Sequence, residues 1–204
     1  MNLILSRTFY IIQIQIMPTT STPRDRLLRA TETMLREAGM AGTGIKDVVK
    51  RSGAPIGSLY HYFPGGKMQL VTEALEIHAG RSNALIARSF GGKASAATAV
   101  QQLFDSAAEG FDMSGADKGC AIGAVSLDLQ AGDSQAQRIC EATFEGWVEL
   151  IAPHLPFPSK SARASFAVTI VAALEGAFVL ARAARSGAPF RDVGKSLATA
   201  LRQS

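Results

Sequence analysis

Cysteine is scarce in this 204-residue sequence, with Cys120 and Cys140 the only two. Two thiols make no disulfide framework, and no CxxC pair suggests a zinc or dithiol redox site, so a reducing cytoplasm is expected. Histidine is nearly as rare, and His61, His78 and His154 fall in three separate segments, which argues against a three-histidine metal site. GxSxG and HExxH are absent. Gly194-Lys195-Ser196 imitates the end of a phosphate-binding loop, but the first glycine of that motif would fall on Pro189, in a segment that reads as helix. An enzyme, a metal site and a cofactor are therefore all unexpected. No strand-like alternation and no internal repeat stands out. The opening MNLILSRTFYIIQIQI is interrupted by Gln13 and Gln15 and lacks a small-residue cleavage site, so residues 1–21 read as a disordered extension, with Met17 an alternative start.

What remains is a globular chain, 47% hydrophobic and 19% charged, with a net charge of +4. Its periodicity is helical almost throughout, which predicts an all-α fold. Thr22, Pro23 and Asp25 make a helix start and Gly39 a stop. Ile45, Val48 and Val49 form a second, short helix closed by Gly53, with Thr43 as the expected cap. Ala54-Pro55 opens a third, in which Leu59 and Phe63 turn inward. Two short helices across a tight turn make a helix-turn-helix. Pro64-Gly65-Gly66 breaks the chain before a longer helix from Lys67, and a domain boundary is expected between Ala79 and Gly92, giving domains 22–79 and 80–204. Later helices are expected near Ile122 to Leu129, Ser134 to Ala152, Ser161 to Ser186 and Asp192 to Arg202.

Between Thr43 and Lys67 the charged residues are Lys46, Asp47, Lys50, Arg51 and Lys67, a local net charge of +3 that suits a polyanion. The small residues Pro55, Gly57 and Ser58, with Ile56, stand where a recognition helix meets base edges. Tyr60, His61 and Tyr62 offer polar tips to phosphates or bases, against the alternative of packing or solvated surface. Gly57-Ser58-Leu59-Tyr60-His61-Tyr62-Phe63, followed by Lys67, resembles the end of the DNA-binding domain in the TetR/AcrR family of bacterial repressors. The double glycine before Lys67 and Gly119-Cys120 in KGCAIGAVSLDL are similar to the LmrA/YxaF-type branch. The resemblance implies that Thr43, Pro55, Ile56, Gly57, Ser58, Tyr60, His61, Tyr62 and Lys67 contact double-stranded operator DNA.

It also implies a C-terminal helical bundle that binds a small-molecule effector and dimerises. Phe104, Phe111, Val125, Phe144, Trp147 and Phe178 are the apolar candidates for a pocket, with core packing as the competing role, and Cys120 and Glu175 are the polar ones. Ala164 to Ala181 is long enough to approach a membrane span, but Glu175 and the small Ala172, Ala173, Gly176 and Ala177 favour a buried helix, so no membrane partner is expected. Phe190, Val193, Leu197 and Leu201 form a stripe that, with Ala173, Gly176 and Ala177, is the expected homodimer interface. The expected function is a repressor released from a palindromic operator by a mainly apolar ligand. A constitutive DNA-binding dimer, or a helical carrier or enzyme, stands as the alternative.

Overall fold

The computed structural model describes residues 21–92 and 94–203, so the expected extension lies outside the described residues except for Ser21. Among these, nine α-helices and one 3-10 turn account for all the regular structure: α1 (Pro23–Ala38), α2 (Ile45–Ser52), α3 (Ile56–Tyr62), α4 (Gly66–Phe90), α5 (Ala96–Met113), α6 (Ala121–Asp128), α7 (Ser134–Ile151), α8 (Lys160–Ala184) and α9 (Ala188–Gln203). The chain is all-α, as its periodicity predicts.

The ends of α1 follow from sequence. Thr22 and Asp25 close a reciprocal capping box, and Pro23 fills the first turn, where its missing N–H costs nothing. Gly39 ends the helix at φ +67°, and a Cβ there would sit 2.1 Å from Asp128 Oδ2. Glycine is favoured by the positive φ, and a side chain there would also displace the Asp128 carboxylate at the end of α6. At α2 the sequence reading is corrected. Gly44, not Thr43, is the N-cap, and no side chain caps the helix. Thr43 is buried, and its hydroxyl donates to the Gly39 carbonyl at 2.6 Å, stitching the loop to the end of α1.

Helices α1 to α3 and the first half of α4 enclose one core of Leu27, Leu35, Val48, Leu59, Phe63, Leu70 and Leu75. Helix α4 runs unbroken past Ala79 to its cap at Gly91. Its first half meets α1, and its second half lies against α7. In the bundle α9 packs along α5 so closely that a Cβ on Gly194 would lie 2.5 Å from that of Phe104.

That packing bears on two sequence expectations. The stripe Phe190, Val193, Leu197 and Leu201 lies largely against the bundle: Phe190 and Leu201 are buried, Val193 and Leu197 half-buried, and the Phe190 ring sits between Phe111, tilted at 5.8 Å, and Phe178, edge-on at 4.8 Å. Ala177 is buried and Ala173 half-buried, leaving Gly176 alone of the expected interface set fully exposed. The most exposed apolar face belongs to α8, where Val168, Ala172, Gly176, Val179 and Leu180 recur at helical spacing and Val179 is 64% exposed. Phe104, Phe111 and Val125 are fully buried in the core. Helix α8 has the length and mean hydropathy (2.0) of a membrane span, with a third of that window buried in the bundle.

Candidate nucleic-acid interface

Helix α3 divides its seven residues cleanly. Leu59 is buried and Phe63, its C-cap, is buried beneath it, which anchors the helix on the core. The opposite side is open. Pro55, Ile56, Gly57, Tyr60 and His61 are exposed, Ser58 and Tyr62 half-buried, with Ile56 at 50% and Tyr60 at 58% the prominent apolar and aromatic surfaces. A Cβ on Gly57 would meet nothing within 4 Å, so packing within the chain does not call for glycine there. Its bareness leaves the backbone accessible at the start of the helix. Tyr62 lies edge-on to His61 at 4.8 Å and packs partly on the core.

The local positive charge is distributed less evenly than its count suggests. Arg51 forms a two-pronged pair with Glu37 of α1, which spends its charge, and that hydrogen bond keeps its guanidinium pKa above the usual value. Lys67 donates from Nζ to the Met40 carbonyl at 2.8 Å, so it ties α4 to the loop after α1. Lys46 and Lys50 stay exposed one turn apart on the outer face of α2. In the sequence they enter only through the local charge of +3, with no contact assigned to either, although their i,i+4 spacing opposite Ile45, Val48 and Val49 marks them as one exposed face. Other cations brace the head: Arg24 pairs with Glu73 and lies over the Phe63 ring, while Arg26 donates to the carbonyls of Ser52 and Ser21.

Polar contacts join this head to the bundle. Gly119 and Arg36 exchange hydrogen bonds at 2.8 and 2.9 Å, Asp128 accepts the Ala41 N–H at 3.0 Å, and Arg182 donates to the Glu37 carbonyl. Helix α6 is therefore pinned at both ends to the C-terminal end of α1. His78 adds a deeper link. Its Nε2 accepts the Ala121 N–H at 3.4 Å, which places the ring proton on Nδ1, facing Glu32 Oε1 at 3.3 Å. Burial would raise the Glu32 carboxyl, but the His78 hydrogen bond and the Arg81 guanidinium outweigh it and hold it below the usual range. Sequence reading set His78 aside because nothing in its own segment marks it; its partners come from α1 and from the start of α6.

Cys120 Sγ lies 3.7 Å from His78 Nε2 on one side and beside the Glu175 carboxyl on the other. Burial and that carboxylate push the thiol well above its ordinary value, so it is a neutral donor. Burial likewise raises Glu175 to about 7. Of the pocket candidates, the structure brings Cys120 and Glu175 together, Phe144 and Trp147 together at 5.3 Å, and Phe111 and Phe178 together through Phe190. It opens no space among the aromatics in either of two clefts: one of about 460 Å³ lies between α4 and α7, lined by Asn83, Ala84, Ala87, Gly146, Glu149 and Leu150, and one of about 520 Å³ lies between α1 and α4.

A short helix fixed from below and bare above, on a three-helix head clamped to a larger bundle, defines a helix-turn-helix DNA-binding regulator. Comparison with known proteins gives the same class. Residues 27–74 match the profile of bacterial regulatory proteins of the tetR family, and residues 96–196 that of the transcriptional regulator LmrA/YxaF-like C-terminal domain. An uncharacterized HTH-type transcriptional regulator of Mycobacterium tuberculosis is 34% identical over 88% of this chain and 94% of its own length. The HTH-type transcriptional regulator LmrA of Bacillus subtilis is 26% identical over 88% of this chain and 97% of its own. Among solved structures, regulatory protein TetR from Rhodobacter sphaeroides superposes with a TM-score of 0.80 at 21% identity, covering 88% of this chain and 98% of that one. A cysteine mutant of CifR complexed with 26-bp double-strand operator DNA superposes with a TM-score of 0.75 at 18% identity, covering 90% and 98%. The chain belongs to the TetR family of transcriptional regulators, with a C-terminal domain of the LmrA/YxaF-like kind. It is a DNA-binding regulator and not an enzyme.

Proposed function

We propose that the chain is a cytoplasmic, homodimeric repressor that binds a near-palindromic operator and is released from it by a small molecule. The observation that carries the reading is the outward face of α3, where Ile56, Gly57, Tyr60 and His61 are left open while Leu59 and Phe63 hold the helix in place. On DNA, Pro55, Ile56, Gly57 and Ser58 meet base edges, Ile56 by apolar contact with a thymine methyl, while Tyr60, His61 and Tyr62 reach bases or phosphates. Lys46 and Lys50 add phosphate contacts. Thr43, buried in the head, donates its hydroxyl to Gly39 and its backbone N–H to Met40, so it supports the interface from behind rather than by a contact of its own. The CifR complex with operator DNA supports the same partner for this chain.

Dimerisation uses the exposed side of α8, with Val168, Ala172, Gly176, Val179 and Leu180 against their copies across a two-fold axis. Release follows when a ligand in the bundle favours a placement of α6, and through it of α1, that misaligns the two heads. Selection from randomised duplexes is expected to return a near-palindrome, and Ser58→Ala is expected to change base preference at one position per half-site by about 1–3 kcal/mol. Val179→Glu is expected to sediment as a monomer and lose the palindromic preference. A dimeric Val179→Glu protein would reject this interface. The closed packing of Phe111, Phe178 and Phe190 favours a second reading, a constitutive DNA-binding dimer, which predicts that no ligand changes operator affinity.

A further inference from the structure

Three buried side-chain atoms have no hydrogen-bond partner among the described residues: Asn83 Oδ1, Trp147 Nε1 and Glu175 Oε1. The third is the hardest to account for as packing. Glu175 is the one charged residue between Ala164 and Ala181. Its other oxygen lies against α6, where a Cβ on Gly123 would stand 2.2 Å from Oε2, so α6 carries a glycine where the carboxylate needs the room. Beside it sits the Cys120 thiol, a neutral donor, and none of the ion pairs among the described residues reaches it. A leucine would satisfy the helix at no electrostatic cost. A carboxylate retained without a cation, with space made for it on the facing helix, has the form of half of an ion pair.

We propose that Glu175 is the anchor for a cationic effector, an apolar amine whose ammonium group pairs with Oε1 and whose body lies among the apolar residues of the bundle. This rests on the reading of the chain as a ligand-responsive regulator and names the chemistry of its ligand. An alcohol or phenol would give the carboxylate one hydrogen bond and leave its charge unmatched, whereas an ammonium group supplies both. The signal has a short path, since the Cys120–Gly123 segment that touches Glu175 also touches His78, and His78 holds Glu32 of α1. Pairing requires the ionised carboxyl, and burial places its titration at about pH 7. Amine affinity should therefore rise by up to about tenfold per pH unit below that value and level off above it, whereas a neutral ligand that accepts a hydrogen bond from the acid form would show the opposite trend.

The test uses the full-length protein and matched ammonium and alcohol probes of increasing size: benzylamine with benzyl alcohol, cyclohexylmethylamine with cyclohexylmethanol, and 1-adamantylamine with 1-adamantanol. Binding is followed by calorimetry and by the fluorescence of Trp147, the only tryptophan. At least one amine is expected to bind about tenfold or more tightly than its alcohol, with affinity rising between about pH 6 and pH 7. Glu175→Gln and Glu175→Leu, each checked for native helix content, are expected to abolish that preference. Equal or tighter binding of every alcohol, no binding by any amine, or an amine preference that survives in both variants would overturn the assignment. An amine that binds through Glu175 without changing operator affinity upholds this site and rejects the ligand-responsive reading. Operator release by a neutral ligand that acts equally on Glu175→Gln, with no amine bound, does the reverse.

Discussion

In the head, buried polar side chains are closed off by partners within the fold. Thr31 donates to the Leu27 carbonyl, Thr43 to that of Gly39 and Ser52 to that of Val49, while Glu32 is held by His78 and Arg81. The bundle closes some of its own in the same way, as Thr143 does on Ile139, yet leaves Asn83, Trp147 and Glu175 with buried atoms unmatched. The polar interior of the head is finished as folded, so its function lies on the outside, on groups that packing does not use. In the bundle the unfinished business is internal, where an orphaned buried group costs about 1–3 kcal/mol. A rigid reader joined to a body with unmet polar groups is the division of labour that a ligand-governed switch requires.

The sharpest way to break this comparison is to exchange inside for outside on α3. Phe63 is buried beneath the helix, so Phe63→Ala is expected to cost about 3–5 kcal/mol in urea unfolding, through lost apolar contact and the cavity left behind. Tyr60, three residues earlier and exposed, should behave oppositely: Tyr60→Ala is expected to shift stability by no more than about 0.5 kcal/mol while weakening operator binding. A Tyr60→Ala protein as unstable as Phe63→Ala would mean that the outer face of α3 is structural after all.

The second prediction concerns the bundle. Glu175 titrates near 4.5 when exposed and at about 7 in the fold, with burial the main cause. Between those values the unfolded chain has lost a proton that the folded chain keeps, so stability falls as pH rises from about 4.5 to 7 and the slope vanishes above. The full effect is on the order of 3 kcal/mol at most. Groups such as Glu32 and Asp112, whose folded values are lowered, act with the opposite sign over more acidic pH, so the informative quantity is the difference between the native sequence and Glu175→Gln. The variant should gain relative stability steadily from about pH 5 to pH 7.5. A constant difference would show that Glu175 is not desolvated.

How much of this was legible in sequence follows the same division. The helix start at Thr22, the stop at Gly39 and the inward pair Leu59 and Phe63 were readable because each is set by neighbours within one or two turns. Thr43 was misplaced because Gly44 took the cap, while the hydroxyl found a carbonyl four residues back. The α9 stripe has the period of a buried face, which sequence detects, but period does not say whether the covering partner is α5 of the same chain or a second copy. For α8 the difficulty is the reverse: it is apolar nearly all round, so its pattern does not mark which side faces outward. The contacts of His78 with Glu32, 46 residues away in the chain, and with Ala121, 43 away, leave no trace in local spacing at all.

The finest prediction separates the four cations between Thr43 and Lys67 by what each already does. Affinity for operator falls with salt in proportion to the number of phosphates neutralised, about 0.9 logarithmic unit of slope per contact on duplex DNA. Lys46 and Lys50 are exposed, so replacing either by Ala should remove about 0.9 unit per head, or about 1.8 for a two-headed complex, with little change in sequence preference. Arg51→Ala should leave the slope nearly unchanged, because Glu37 already neutralises that guanidinium, and its cost should fall instead on the stability of the α1–α2 contact. Lys67 is the discriminating case, since its Nζ is bonded to the Met40 carbonyl and a carbonyl does not cancel its charge. If that bond persists on DNA, Lys67→Ala weakens all operators alike by loosening the loop and shifts the slope by less than the α2 lysines do. A slope change matching theirs would show that Lys67 leaves Met40 for a phosphate, and that the start of the α1–α2 loop loses this tie when the head meets DNA.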